Sequence, residues 1–399
     1  MRILFLSPRQ SWPTVSGAKL RDYYFAKALG RRAQLTYMYF AERGGTTPGL
    51  TEFPFCERVV AVPAPAMYTP AKVLRGLLGR QPLPVVNYTS PEMREAIRGA
   101  LSGGHFDMIH FDAVQMAAYV PLIQQWLPGA RIVFNWHNIE SELMRRYAGT
   151  APTIVHRIYG NLTARRLETL ERELLKGCFG HLVCSGREQE QLQRIAPEAR
   201  LAVIENGVDA GAFSAIPGGG AARNNLVFVG SMSYHANIDA AVWFTRELWP
   251  GIRRRFPQWT LSLVGSNPSP AVQALAGDGV VVTGTVPSIE PYYGQALAAI
   301  VPLRSGAGTR LKILEAMAAG VPVISTTLGA EGLDVAPGEN ILIADTAADW
   351  IAALESIAGN ESRWDSIGGR GRALVTSRYD WEILGNQLFE TYRRWLEAA

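Results

Sequence analysis

Short runs of β-branched and apolar residues alternate with helix-patterned stretches along almost the whole chain, and that alternation leaves few folds open. The first run, RILFLS (2–7), ends in a loop with Pro and Gly that reaches Gly17. AKLRDYYFAKALG then has helical spacing and closes at Gly30, completing a βα unit. Further strand candidates are AQLTYMYF, ERVVAV, FDMIHF, RIVFNW, HLVCS and LAVIE, with helical patterns between most of them. Continuous apolar strands separated by helices predict an α/β architecture of parallel sheets covered on both faces.

After IENGVD the pattern lapses. AGAFSAIPGGGAARNN is poor in large apolar side chains and holds Gly218, Gly219 and Gly220 in a row, the composition of a linker. The alternation then restarts with LVFVG, a helix over 237–256, WTLSLVG, GVVVTG, AAIVPL, a helix over 309–319, VPVIST and NILIA. Two Rossmann-like domains are expected, 1–208 and 225–380, joined by a linker at 209–224. The final stretch, 381–399, predicts a helix whose Trp381, Leu384, Leu388, Tyr392 and Leu396 need a surface to cover. Ligands of open α/β sheets bind beyond the carboxyl ends of the strands, so two such sheets facing across a cleft would both lend loops to one site.

Composition narrows the partners. With 399 residues, 48% apolar and 19% charged, the chain suits two ordinary domains and not a disordered segment. No apolar run reaches the roughly 18 residues of a membrane span, and MRILFLSPRQ lacks the form of a signal peptide, so a cytoplasmic protein is expected. Cys56, Cys178 and Cys184 are odd in number and show no CxxC spacing. Reduced, mostly buried thiols are expected, with no zinc site. A net charge of +4 is too small to argue for nucleic acid, but it is unevenly spread: residues 1–210 hold 25 Lys and Arg against 18 Asp and Glu, and the rest 14 against 17. AKVLRGLLGR (71–80) sets Lys72, Arg75 and Arg80 beside Val73, Leu74, Leu77 and Leu78. It fits either a solvated amphipathic helix or one lying on the anionic inner face of a membrane.

The charges of SGAGTRLKILEAMAAGVPVIST (305–326) stand where a helix begins. Gly308 permits close backbone approach and Thr309 is a candidate N-cap. Helix-start amides with Arg310 and Lys312 suit a phosphate or diphosphate. Glu315, three positions after Lys312, can accept hydrogen bonds from sugar or ribose hydroxyls. A Lys312–Glu315 surface salt bridge is the plainer alternative.

EAMAAGVPVI resembles the EAMAxGxPVI signature of the retaining GT-B glycosyltransferases of the family-four type. SPRQSWPTVSGAKLRDYYFAKAL resembles that family's first strand, loop and helix, VIENGVD its VPNGVD, and GAEGL and PGENILIAD its late loops. The resemblance implies transfer of a sugar from a nucleotide diphospho-sugar to a glycan, lipid-linked or small-molecule acceptor, with retention, no cofactor and no required metal. It also implies a role in cell-surface polysaccharide or glycoconjugate synthesis, and a final helix that rejoins the first domain. By position, Gly17 would bring backbone to the donor phosphates and Glu315 would bind the ribose. His137 in FNWHNIES would contact the transferred sugar, with Asn138 and Glu140 close by. Glu140 fits an acceptor contact or the start of a helix, and Asp112 in IHFDAVQ is expected to cap the helix after it.

Two departures from the family stand out. Its first glutamate, eight positions before the second, is here Ala307, and Glu331 in LGAEGL is a candidate substitute. Its arginine after a glycine and its later lysine are absent from GSMSYHANID, where Gly230 is followed by Ser231 and the neighbourhood holds His235 and Asn237. Leaving-group charge is therefore expected to rest on Arg310 and Lys312 with helix amides. An epimerase of the same fold and a non-catalytic nucleotide-sugar or glycan binder are the competing functions. A dinucleotide dehydrogenase lacks its GxGxxG. The basic first half, with Tyr23, Tyr24, Tyr68 and Tyr88 expected at the surface, suits a lipid-linked or polysaccharide acceptor at the inner membrane face and suits a soluble one equally.

Overall fold

The structure, a computed structural model of the chain, describes residues 1–42, 44, 46–151, 153–213, 223–305 and 310–398. It divides into two compact units, Met1–Glu205 with Leu384–Ala399, and Asn206–Ile383. The first unit is built on β1 (Arg2–Ser7), β2 (Gln34–Ala41), β3 (Arg58–Pro63), β4 (Met108–Asp112), β5 (Ile132–Asn135), β6 (Gly180–Val183) and β7 (Leu201–Val203). These strands pair only in parallel, in the order β3-β2-β1-β4-β5-β6-β7. Strands β4, β5 and β6 are buried along their whole length, and β1 everywhere but Arg2, which is why their sequences are apolar without alternation.

The second unit repeats the plan with β8 (Asn225–Val229), β9 (Thr260–Val264), β10 (Val280–Gly284), β11 (Ala296–Val301), β12 (Val323–Ser325) and β13 (Leu342–Ile343). Its parallel order is β10-β9-β8-β11-β12-β13. Each unit has its own apolar core. In both sheets the strand order reverses once, between β1 and β4 in the first and between β8 and β11 in the second. Connections diverge at such a switch point and leave a crevice at the carboxyl edge.

Local differences from expectation have physical causes. The helix expected over 237–256 is His235–Trp243, a π-helical turn Phe244–Leu248, and Trp249–Arg255. Pro250 has no N–H to give the preceding turn, and the helix widens there. The helix expected over 309–319 is Leu311–Ala318, and its N-cap is Arg310, with φ −85° and no side-chain capping bond. The expected cap, Thr309, lies outside the described residues, as do Gly308 and Ala307. Of the four tyrosines expected at the surface only Tyr68 is exposed, at 67%. Tyr23 packs among Trp12, Tyr24, Phe53 and Phe55, with ring centroids 5.3 to 5.8 Å away, because the loop before β3 folds back over its helix. Tyr24 and Tyr88 are half-buried. Cys56 is buried, Cys178 and Cys184 are half-buried, and all three are free thiols. No helix among the described residues is long and apolar enough to cross a membrane.

The chain passes from the second unit to the first within the helix Trp381–Glu397. Leu384, Leu388 and Tyr392 are fully buried. A Cβ on Gly385 would stand 2.5 Å from that of Ala28, so only glycine lets this helix meet Gly17–Gly30 so closely. The Tyr392 hydroxyl bonds Nδ1 of buried His110 on β4. Tyr392→Phe should strip that imidazole of its bond and cost about 1–3 kcal/mol, read as a lower unfolding midpoint of the first unit; an unchanged midpoint would make the bond dispensable.

Candidate functional site

Three strand ends meet at the first switch point, and each ends in a polar residue: Ser7 on β1, Asp112 on β4 and Asn135 on β5. All three are fully buried, as are Asp22 and Arg21 from the helix Gly17–Gly30. Charge in so dry a place must be compensated. Asp112 accepts from the Asn135 amide at 2.6 Å and from His137 Nε2 at 2.8 Å. Asp22 accepts from the Ser7 hydroxyl at 2.8 Å and lies 3.4 Å from the same His137 nitrogen. Arg9, in the loop after β1, spans both carboxylates at 3.4 and 3.7 Å. Arg21 donates to the Asn135 side-chain oxygen Oδ1 at 2.9 Å and to the Ile204 main-chain carbonyl at 2.8 Å, tying β5 to the residue that follows β7.

The two carboxylates are thereby driven apart. Burial pushes Asp22 up to about 6. For Asp112 burial acts in the same direction, but the charge and hydrogen bond of His137, with His110 and Arg9 3.8 and 3.7 Å away, outweigh it and hold the carboxyl well below its usual range. Burial would lower His137, yet Asp112 wins and the imidazole is raised, so the pair favours an imidazolium against a carboxylate. His110, also buried, is lowered. Asp22, Asp112 and His137 bring one ligand atom each within 4.8 Å of one another, spacing that can hold a metal ion. The compensating cation among these residues is Arg9.

Asp112 therefore does not cap the following helix. The chain turns at Ala113, with φ 67°, and the short helix Val114–Tyr119 starts without a side-chain cap. Glu140 is the first residue of the helix Glu140–Thr150, and burial raises its carboxyl. Gly17 opens its own helix behind the Ser16 N-cap, which accepts from Lys19 N. Cys184, just after β6, points its thiol at the Trp136 carbonyl, 3.2 Å away, and steadies the segment that carries His137.

The second switch point gathers Gly230, Asn237, Lys312 and Glu315. Gly230 follows β8, and a Cβ there would stand 2.7 Å from the Asn237 amide and 3.1 Å from the Lys312 ammonium. Lys312 Nζ donates to Asn237 Oδ1 at 2.6 Å and lies 4.6 Å from the centre of the Phe228 ring. Asn237 in turn donates to the Ser231 carbonyl at 2.9 Å. Glu315 takes its bond from the hydroxyl of buried Tyr293, 3.4 Å away. The two charges are thus not the surface salt bridge that spacing allowed. Burial brings Lys312 down to about 7 and Glu315 up to about 7.

Arg310 turns elsewhere. Its guanidinium is buried, donates to the Leu328 carbonyl at 2.9 Å and stands 3.9 Å from exposed Glu331, while its Nε has no partner among the described residues. Glu331 thus meets an arginine in this structure. Sequence reasoning missed Arg9, Asp22, Arg21, Asn135, Asn237 and Tyr293. The signal for the first three was available: charged residues placed on the carboxyl end of a strand and on the inner face of the helix after it.

Two family models match the chain, Glycosyltransferase Family 4 over residues 23–211 and Glycosyl transferases group 1 over residues 223–360. A GDP-mannose-dependent alpha-(1-6)-phosphatidylinositol monomannoside mannosyltransferase of Mycobacterium tuberculosis is 32% identical over 160 residues, 36% of this chain and 42% of that protein. The chain spans less than half the length of the curated relatives it matches. Among solved structures, sucrose-phosphate synthase from Thermosynechococcus elongatus superposes with a TM-score of 0.73 at 20% identity, covering 100% of both chains. Anabaena HepE, in complex with UDP and glucose, gives 0.65 at 18% identity over 98% of this chain and 99% of its own. Both likenesses are of fold, and they bear out the two-domain α/β architecture expected from the sequence.

The raised carboxyl of Asp22 carries a sign. Its folded value lies above its unfolded one, so the stability it contributes is complete below about pH 4 and is lost as pH rises through about 6. Asn cannot titrate. The stability of the native chain relative to Asp22→Asn should therefore fall between pH 4 and 6, by on the order of 3 kcal/mol, in denaturant titrations at each pH; a pH-independent difference would refute the buried charge assigned to this side chain.

Proposed function

We propose that this chain, which belongs to the group 1 glycosyltransferases, moves a sugar from a nucleotide diphospho-sugar to a glycan, lipid-linked or small-molecule acceptor with retention at the anomeric carbon. The observation that carries the proposal is the Lys312 ammonium held beside the backbone of Gly230 at the second switch point. A strand-end glycine, a half-buried cation and a carboxylate one helical turn on, Glu315, form the complement of a nucleoside diphosphate. In this scheme Lys312 and the amides of the helix start meet the diphosphate, with Gly230 and Ser231 as backbone contacts. Glu315 accepts from the ribose hydroxyls. Two donor-binding positions assigned from the sequence, Gly308 and Thr309, lie outside the described residues.

The reaction breaks the bond between the anomeric carbon and the phosphate oxygen and forms one to an acceptor hydroxyl, whose proton passes to the departing phosphate oxygen on the same face. Negative charge grows on that oxygen, and a preorganised cation in a dry site lowers the barrier most. Arg310 is the second cation of the scheme; Nε, buried and without a partner among the described residues, is its donor. No metal or cofactor is assigned a step. In the first unit His137, fixed by Asp112, is assigned to the transferred sugar, with Gly17 near the phosphates and Asn138 and Glu140 on the acceptor side. HepE is solved in complex with UDP and glucose, and the mycobacterial relative is a GDP-mannose-dependent phosphatidylinositol monomannoside mannosyltransferase. These support a nucleotide-sugar donor and a lipid-linked acceptor; glycoconjugate synthesis at the cytoplasmic face of a membrane completes the proposed reading.

A thermal-shift screen of UDP, GDP, TDP and ADP, with and without their common sugars, followed by donor-hydrolysis assays, tests the proposal. One nucleotide should stand out and its sugar should be released slowly without acceptor; no shift with any of them would defeat it. Binding should also carry a proton signature. Lys312 sits near 7, so a nucleotide sugar that needs its ammonium should take up close to one proton at pH 8, whereas at pH 6 the need for an ionised Glu315 should release one. Calorimetry in buffers of different ionisation enthalpy reads both, and equal proton counts at the two pH values would contradict the assignment. Glu315→Ala should weaken nucleotide binding at least tenfold, and Arg310→Ala should lower turnover more than affinity; His137→Ala should cost turnover with the fold intact.

A further inference from the structure

Two segments of the first unit lack carboxylates altogether, 58–91 and 143–167, and the fold brings them together. The first contains the helix Pro70–Leu78, the second most of the hairpin of Glu140–Thr150 and Ile154–Gly177. Arg166 fastens them: its guanidinium donates to the Gly76 carbonyl and, at 2.6 Å, to that of Leu77. The hairpin itself is tight, because a Cβ on Gly160 would stand 2.9 Å from that of Ala148.

On this scaffold sits an apolar surface that no described residue covers. Leu74, Leu77 and Leu78 are 58%, 42% and 78% exposed, and Ile154, Val155 and Ile158 63%, 69% and 62%. Ile154, Val155, Ile158 and Leu162 follow the spacing of one helical face, and Arg165 falls on the same face. Leu74, Leu77 and Leu78 form a second stripe, flanked by Arg75. Soluble surfaces scatter such side chains singly; a contiguous set marks an interaction site. The basic residues decide the partner. Arg75, Arg80, Arg157 and Arg165 form no ion pair among the described residues, and no acid interrupts either segment. A protein partner or a second copy of this face would have to bury these cations against one another or against its own carboxylates, whereas a bilayer takes the leucines and isoleucines into its acyl boundary and the arginines among anionic headgroups.

We infer that this face, made by Pro70–Leu78 and the start of Ile154–Gly177, docks the protein on an anionic phospholipid bilayer. The inference deepens the lipid-linked acceptor of the proposed function and rests on that reading only for its purpose. The docking itself needs no turnover. The side chains involved stand on the surface of the first unit, and none belongs to the switch-point cluster of Asp22, Asp112 and His137. Exposed apolar residues at such positions keep their solubility through the neighbouring charges, which explains how an open leucine stripe persists there.

Flotation of the full chain with vesicles tests it. Vesicles of phosphatidylcholine with 30% phosphatidylglycerol, roughly the anionic share of a charged leaflet, should carry the protein, and pure phosphatidylcholine should not. Binding should weaken as salt is raised from ~0.1 to ~0.5 M, where screening shortens to a few ångströms. Arg157→Glu with Arg165→Glu should reduce partitioning at least about tenfold, since each cation near an anionic surface is worth about fivefold. Leu78→Asp with Ile158→Asp, both at open positions, should do the same by removing the apolar half. Equal binding to neutral and anionic vesicles would overturn the inference, as would no binding, or self-association of the chain abolished by Leu78→Asp with Ile158→Asp. The nucleotide thermal shift, measured on the same variants, separates the outcomes: if it persists while vesicle binding is absent, docking fails and the transferase reading stands.

Discussion

Asp112 is a carboxylate with no exposed surface, and the arrangement around it follows from carrying that charge in a dry crevice. His137 supplies the nearest positive group, Asn135 a neutral donor, and Arg9 a second cation shared with Asp22. Removing one partner of such a set leaves an uncompensated charge, which costs more than the set contributes by existing. The cluster therefore imposes demands on distant parts of the chain. Asn135 must be oriented, and Arg21 orients it while bonding the carbonyls of Ile204 and Glu205. His110, the neighbour of Asp112 along β4, stays neutral and is held by Tyr392 from the last helix.

The second unit meets a related problem with opposite sign. Lys312 is a half-buried ammonium whose one close hydrogen-bond partner among the described residues is a neutral amide, Asn237, with the Phe228 ring beneath it. Such a cation is under-compensated, and burial lowers it. A site that holds an under-compensated positive charge beside exposed backbone at a strand end is prepared for an anion. The first unit, whose charges are balanced internally, is by contrast prepared to position a hydrogen-bonding imidazolium. Parallel sheets with a single order reversal put both devices at the carboxyl edge, which is why the same topology serves two different electrostatic tasks.

Much of this was legible in the sequence because it is periodic. Continuous apolar strands, helical stripes and a glycine-rich interruption predict two parallel sheets, and every strand expected is present within a few residues of its place. The motif residues Lys312 and Glu315 were legible as well, since a charge in front of a buried helix has few uses. The partners of those residues were not. Asn237 and Tyr293 are ordinary in their own segments and acquire meaning only when β8 and β11 become neighbours. Asp112 looked like a cap because aspartate before a helix usually is one; a positive φ at Ala113 redirects the chain and frees the carboxylate for His137. Arg9 and Asp22 are separated by 13 residues and Asp112 by a further 90, so no local pattern joins them. Exposure was misjudged for Tyr23 for the same reason, because the residues that cover it, Phe53 and Phe55, come from a loop without periodicity.

The central claim is that the cation serving the diphosphate stands on Lys312 and that Asn237 occupies the space a lysine could fill from the other side. Exchanging them tests it most directly. Lys312→Ala should lose about 10- to 100-fold in affinity for the nucleotide sugar, the worth of a charged hydrogen bond, and adding Asn237→Lys to that variant should recover most of the loss, both measured by calorimetry with unfolding midpoints checked. Recovery would show that the site requires a positive charge at that place and is indifferent to which element delivers it. If the double variant folds and binds no better than Lys312→Ala alone, the charge is not where the diphosphate is held.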